Sequence, residues 1–291
     1  MKVVKQPIIT QQELDKIANY QRKQKEDRRY SPWTTARKAS SQGQGQILRS
    51  HKADHEVHLL SLGELGVFFT EESNPNVISI YEQFPLNIDE TIKIAEKLNI
   101  VHPGIYKNRD KHDGHIPATT MTTDIVVTVQ CSNGGIGLRP YYFKYASSFD
   151  TNLTSKITIR RNIEKLKIET EYWSTRSEGL CIIDESYFNE IQIYNYTYLR
   201  RCYEYPQYIN RNDPLYISTI KKLGWIFQQD QRITLRKSIE IAAQEIGISE
   251  FQCECVFKHA TLTGYFPIDL SQKIDLWYPL PFEHKVNPYA Y

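Results

Sequence analysis

Met121-Thr122-Thr123-Asp124-Ile125-Val126-Val127-Thr128-Val129-Gln130-Cys131 is the stretch on which the fold turns. Ile125, Val126, Val127 and Val129 are β-branched and consecutive enough to predict a strand. Asn133-Gly134-Gly135 then supplies turn residues, and Leu138 to Tyr145 reads as a second strand, so the pair predicts a β-hairpin. The hairpin carries Asp124 on one arm and Lys144 on the other, 144 − 124 = 20 positions apart.

Upstream, Val57, Leu60, Leu65, Phe68 and Phe69 recur with roughly helical spacing from Glu56 to Phe69, which sets Glu64 on or near a helix. Val77 to Phe84 is rich in strand formers and stops at Pro85. Asp89 can cap a helix whose Ile92, Ala95 and Leu98 share one face. Downstream, Ile159, Ile163, Leu166 and Trp173 predict a charged helix over Lys156 to Trp173, and Leu180 to Ile183 a short buried strand. Helix, three strands, helix and strand together predict an α/β domain over 46–185.

Both flanks have a different texture. In the N-terminal 45 residues Thr10 and Glu13 form a capping-box pattern before a polar helix, which ends in the charge run Arg22, Lys23, Lys25, Arg28 and Arg29. A solvated helical arm is expected, followed by a Ser/Gln/Gly loop over Ser40 to Gln46. Over 186–291 a linker helix is expected to lead into a partner-binding domain. There Asp213-Pro214 starts one helix, Thr234 another that stops at Gly247, and Ser249 a third from Phe251 to about His259. A hairpin over Gly264 to Trp277 would complete a winged-helix-like α+β domain. The third helix carries only Lys258 and His259 against Glu254, poor equipment for phosphate or guanine, so protein contact is the expected role.

Composition limits the alternatives. In 291 residues, 36 Lys+Arg against 34 Asp+Glu leave a net charge of +2, so bulk charge does not announce a nucleic-acid binder. The five cysteines are odd in number and the opening residues lack an apolar run, so a reducing cytoplasm is the expected setting. Cys253 and Cys255 have no second pair at zinc spacing. No apolar run reaches the roughly 18 residues of a membrane span.

Phosphodiester hydrolysis needs carboxylates for a divalent cation and positive charge against the phosphate. Asp124 and Lys144 suit that chemistry, in the arrangement written PD-(D/E)xK for nucleases, although Asp124 beside Thr122 and Thr123 also reads as a polar strand start. Glu64 has two readings, since Ser61-Leu62-Gly63-Glu64 is itself a capping box. His112, Asp113 and His115 surround Gly114 and read as a solvated loop.

An ordered series of segments adds to these residues. Ser31-Pro32-Trp33, Val57 to Leu65, Tyr81-Glu82-Gln83-Phe84-Pro85-Leu86, His102-Pro103, Met121 to Asp124, Glu164-Lys165-Leu166 and Tyr172-Trp173 occur in one order. Together they resemble TnsA, the endonuclease subunit of heteromeric cut-and-paste transposases, from about Tyr30 to Asp184. The resemblance implies a restriction-endonuclease-like N-terminal domain that cuts the 5′ ends of a transposon with magnesium, for which manganese can substitute. It implies double-stranded DNA at transposon ends as substrate, with a TnsB-like transposase and a TnsC-like AAA+ ATPase as partners. The setting would be the bacterial cytoplasm, on the nucleoid while acting, with no membrane. Glu64 and Asp124 would be metal-ligating acids, Lys144 would stabilise the attacking water or the phosphate, and Glu169 occupies a position implicated in activity. Glu169 also reads as a solvated helix face beside Lys165. His58 and His102 are expected to pack or hydrogen-bond.

The chain departs from the family at Tyr142, where the family has Gln. Strand alternation keeps Tyr142 on the face of Lys144, but a neutral phenol is a poor magnesium ligand. Gln130 stands six positions beyond Asp124, roughly 20 Å away at ~3.4 Å per residue. A backbone carbonyl near Phe143, a water or Glu169 could replace the ligand. The alternative is a catalytically impaired assembly subunit linking the transposase to the ATPase.

Overall fold

The computed structural model describes residues 5–39, 45–132 and 134–283. Most of the expected loop over Ser40 to Gln46, and Asn133 of the expected turn, lie outside the described residues. The chain forms two units, residues 1–72 with 76–187 and residues 73–75 with 188–291.

Helix α1 (Gln11–Asp27) starts at Thr10, whose hydroxyl accepts from the Glu13 N–H at 3.3 Å. The Glu13 carboxylate does not turn back to close a box. It accepts from the Thr120 N–H at 2.9 Å and hydroxyl at 2.6 Å. Tyr20 meets Trp33 edge-on at 5.1 Å, and the Lys16 ammonium lies 4.2 Å from the centre of the Trp33 ring. The solvated arm is therefore corrected: a stripe through Glu13, Ile17, Tyr20 and Gln24 faces the first unit, at the i, i+4, i+7 spacing that shares a helix face, while the charge run stays exposed.

Glu64 does lie on a helix, but the helical spacing read from Glu56 begins too early. Strand β1 (Gln46–Arg49) pairs antiparallel with β2 (Glu56–Leu59), and only then does α2 (Leu62–Ser73) begin. Val57, His58 and Leu59 are all buried, a short apolar run whose period cannot tell strand from helix. Strand β3 (Val77–Pro85) follows, then α3 (Ile88–Lys97), capped by Asn87 rather than Asp89: the Asn87 amide oxygen accepts from the Glu90 N–H at 3.1 Å. Asp89 lies inside the first turn, where it favours the helix dipole.

The hairpin read from the sequence is β4 (Thr122–Gln130) and β5 (Ile136–Phe143), joined where Gly134 adopts φ +80°. Helix α4 (Lys156–Trp173) and strand β6 (Cys181–Ile183) complete the unit. The sheet order is β3-β4-β5-β6, antiparallel except for the last, parallel pair. Such a parallel neighbour needs a crossover, which α4 provides. Lys144 stands one residue beyond β5, so it is not a strand residue, although its N–H still donates to the Ile183 carbonyl at 3.1 Å.

Val126 of β4 packs with Ile168, Tyr172 and Trp173 of α4 and with Ala95 of α3. Period-2 alternation turns Asp124 to the same side as Val126, toward α4. The Trp173 indole N–H donates to Thr123 Oγ1 at 2.8 Å and fixes the C-terminal turn of α4 against the start of β4.

The second unit contains α5 (Glu190–Leu199), α6 (Pro214–Gln229), α7 (Leu235–Ile246) and α8 (Glu250–Leu262), capped by Asn189, Asp213, Thr234 and Ser249 respectively. Its core gathers Leu223, Phe227, Leu235, Ala242, Cys253 and Phe257. Where a hairpin over Gly264 to Trp277 was expected, the described residues show one antiparallel bridge, Ile268 with Phe282. Asp269 N–H to Pro281 O at 2.7 Å and Glu283 N–H to Pro267 O at 3.0 Å flank it, so the return segment is later than expected and carries prolines that remove ladder donors. Among the described residues no helix is long and apolar enough to cross a membrane.

Gly63 sets how closely α2 approaches β5, because a Cβ there would lie 2.0 Å from the Phe143 ring. Gly63→Ala is expected to destabilise the protein by about 1–3 kcal/mol through overpacking. Chemical denaturation with tryptophan fluorescence measures it, and a native midpoint would refute the close approach.

Candidate active site

Glu64 enters the site from the first turn of α2. Ser61 caps that turn, its hydroxyl accepting from the Glu64 N–H at 3.2 Å and donating back to Oε1 at 3.1 Å, while the Leu60 N–H donates to Oε2 at 2.9 Å. The cap and the acid are thus one residue: the capping bonds anchor the carboxylate, which is only 6% exposed.

Asp124, half-buried, is held from the neighbouring strand. Its Oδ2 accepts from the Phe143 N–H at 2.9 Å. The Ile125–Tyr141 pairing puts Tyr142 opposite Asp124 at the next register position. Phe143 therefore contributes a backbone donor that orients the acid, and its ring packs on Gly63.

Glu169 is not a solvated helix face. It is 2% exposed and one carboxylate oxygen, Oε1, has no hydrogen-bond partner. A buried acceptor left without a donor costs about 1–3 kcal/mol and calls for an explanation at the site. Burial, then the charge of Asp124, raises its pKa well above the carboxylate range, and a bond from Thr123 works against this.

The Asp124 charge disfavours ionisation of both other acids. Burial and the Asp124 charge raise Glu64 to about 8 against the Leu60, Ser61 and Gln83 hydrogen bonds. Burial raises Asp124 to about 6, opposed by the Phe143 N–H, the Lys144 charge and a Gln83 bond. Tyr142 is held above its usual value by burial and by the charges of Asp124 and Glu169, so it faces the acids as a neutral phenol. Lys165, one helical turn before Glu169, is lowered by desolvation and then by Lys144 and Arg161. Two ammonium groups therefore feel each other beside the acid cluster.

Glu64, Asp124, Lys144, Tyr142, Phe143 and Glu169 are brought together, and Gln83 is the residue that sequence reasoning missed. It is 4% exposed, and its amide N–H donates to Glu64 Oε2 at 3.4 Å. It stood inside the Tyr81 to Leu86 segment, but only the strand register brings it opposite Asp124. His102 is structural, its ring nitrogens bonded to the Pro103 carbonyl and the Thr91 hydroxyl at 2.9 Å each. The backbone N–H of His58 donates to Glu82 Oε1 at 2.9 Å. Asp113 and Gly114 adopt left-handed backbone in a loop where Arg109 Nε donates to the Gly114 carbonyl at 2.9 Å.

Oxygen donors of this kind suit a hard divalent cation, and the unpartnered Glu169 oxygen and the mutual repulsion of the acids fit one. Among the described residues, however, no three His, Cys, Asp or Glu side chains already form a complete ion-holding group. Glu64 and Asp124 are the pair that could hold the ion, with Glu169 behind them.

Comparison with known proteins places this unit. A family model described as TnsA-like endonuclease N terminal matches residues 74–185, which include Gln83, Asp124, Tyr142, Lys144 and Glu169 and begin after Glu64. The Transposon Tn7 transposition protein TnsA of Escherichia coli is 30% identical over 162 residues, 56% of this chain and 52% of that protein. The chain thus spans about half the length of the curated relative it matches. The match implies a restriction-endonuclease-like fold for residues 74–185, in keeping with the mixed α/β unit, and over about half its length the chain is similar to TnsA.

Proposed function

We propose that this chain is the metal-dependent endonuclease subunit of a Tn7-like transposase, hydrolysing the 5′ strands at transposon ends together with a TnsB-like transposase and a TnsC-like ATPase. The observation that carries the reading is the buried Glu64 facing the half-buried Asp124, with the unpartnered Glu169 oxygen behind them. Glu64 and Asp124 hold magnesium, or manganese in its place. Bound there, the cation offsets phosphate charge and makes water a stronger nucleophile at neutral pH. The Leu60, Ser61 and Phe143 donors keep the two carboxylates oriented. Lys144 balances charge at the phosphate or orients the attacking water. Its backbone is tied to β6, which limits where the ammonium can reach. With a net charge of only +2, delivery to DNA by partners suits the chain better than tight binding on its own.

Tyr142 favours a second reading, an assembly subunit with a nuclease-like domain that does not cut. The two separate cleanly in a reconstituted transposition reaction with both strands mapped at the transposon ends. Asp124→Ala is expected to reduce 5′-strand cutting by more than the ~100-fold that an outer-shell change costs, with the 3′ strand still cut. Undiminished 5′ cutting by that variant would remove the endonuclease reading.

The acids also set a pH dependence. Because Glu64 is raised to about 8 in the folded chain, the folded state holds more protons than the unfolded between the ordinary carboxylate range and that value. Without metal, stability therefore falls as pH rises through this window. Cation binding needs the ionised acids and strengthens over the same range. Thermal melts with and without magnesium are expected to show a larger magnesium-induced rise in Tm at pH 8 than at pH 6. Glu64→Gln should lessen that difference, and an equal response in variant and native protein would contradict the assignment.

A further inference from the structure

Gln83 adopts φ +47°, a left-handed conformation that costs a non-glycine residue about 1–3 kcal/mol, two residues before the end of strand β3. Strain of that kind persists only where surrounding bonds over-determine it, and here they do. The Trp33 N–H donates to the Gln83 carbonyl at 3.2 Å, and the Tyr30 hydroxyl donates to the adjacent Glu82 carbonyl at 2.7 Å. Glu82 pairs with Ile125 and Phe84 with Thr123, so Gln83 falls opposite Asp124 between those pairs.

The side chain uses this placement fully. The Thr122 hydroxyl donates to its amide oxygen at 3.2 Å, which leaves the amide nitrogen facing the acids. That nitrogen donates to Glu64 at 3.4 Å, and the strand register sets the same residue opposite Asp124, whose proton affinity it lowers. One buried amide thus spans two carboxylates that arrive from different elements, α2 and β4. Tyr142, the residue at the family's amide position, is a neutral phenol beside the acids, with one O–H donor where an amide has two N–H donors and a carbonyl.

We infer that Gln83 supplies the amide this site lacks at position 142, as a positioning residue that bridges Glu64 and Asp124 and holds them ready for one divalent cation. The inference rests on the metal-site reading proposed above. It assigns the strained backbone of β3, and the Tyr30 and Trp33 bonds that secure it, to the geometry of the site rather than to the sheet.

The full chain is titrated with manganese alone, by calorimetry and by the electron paramagnetic resonance signal of the free ion, and its melting is recorded without metal. Gln83→Leu keeps the side-chain volume but removes the donors. It is expected to weaken manganese binding at least tenfold, as loss of a ligand's outer partner does, while Tm without metal stays close to native. Tyr142→Phe is expected to leave manganese affinity unchanged. Native affinity in Gln83→Leu would overturn the proposal, as would a tenfold loss in Tyr142→Phe.

Should Gln83→Leu not fold, Gln83→Glu keeps the shape and the Thr122 acceptor but puts a third charge beside the two acids. Without metal it should melt below the native protein, and manganese should raise its Tm by more than it raises the native. Native melting with a native manganese response would overturn the proposal. Asp124→Ala tests the underlying reading separately. If it binds manganese as the native chain does, the metal site itself is wrong, whereas loss there with native binding in Gln83→Leu rejects only the role of Gln83.

Discussion

The repulsion of the Asp124 charge on Glu64, a carboxylate removed from water and close enough to have its proton affinity raised by it, is the constraint around which the first unit is organised. Burying one carboxylate without a partner is costly, and burying two together is costlier, because each destabilises the ionised form of the other. A loosely built pocket would relax by turning one acid away. Here each acid has its own backbone donor, Leu60 N–H for Glu64 and Phe143 N–H for Asp124, so neither can leave without exposing an unpaired group. The repulsion is thereby retained in the fold, available to any cation that enters.

That arrangement asks for rigidity from elements far apart in sequence. Glu64 rides on α2, whose approach to β5 is set by Gly63 against the Phe143 ring, and Phe143 supplies the donor to Asp124. The same residue therefore fixes the distance between the elements and the orientation of an acid. The segment after α1 secures β3 from the other side through Tyr30 and Trp33. A site built on helices and paired strands can hold its geometry within fractions of an ångström, which loops cannot do. It also explains why Ser31-Pro32-Trp33, chemically unremarkable by itself, accompanies the acids in the ordered series of segments.

How much of this was legible depended on whether a signal was local. The Ile125 to Val129 run and the apolar stripe of α4 declared themselves because their periods are carried by neighbouring residues. Glu56 to Phe69 misled for the same reason: four residues of β2 and the start of α2 together imitate one helix, and the partner β1 that distinguishes them lies before a loop. Asn87 rather than Asp89 capped α3 because either side chain can accept an N–H, and only the backbone of the residue before the helix decides. Gln83 was not legible at all. Its role needs a strand register, a positive φ and a carboxylate 124 − 83 = 41 positions later, none of which its own side chain announces. Lys144 was found by type and order, yet its place just past the end of β5 came only with the sheet.

In the second unit the placement of cations depends on packing that the sequence leaves open. Helix α8 offered Lys258 and His259 as its only cationic or conditionally cationic groups, and both are now committed inward. Lys258 is 7% exposed, paired with Glu254 at 2.8 Å and set over the Tyr198 ring at 4.2 Å. His259 is 6% exposed and shares a 2.7 Å hydrogen bond with the Tyr216 hydroxyl. A helix that reads phosphate or base edges needs its cations free to reach outward. To reach outward, Lys258 would have to give up the Glu254 pair and the Tyr198 ring. With its cations spent on internal packing, α8 adds Cys253, Val256 and Phe257 to the core and holds the unit together.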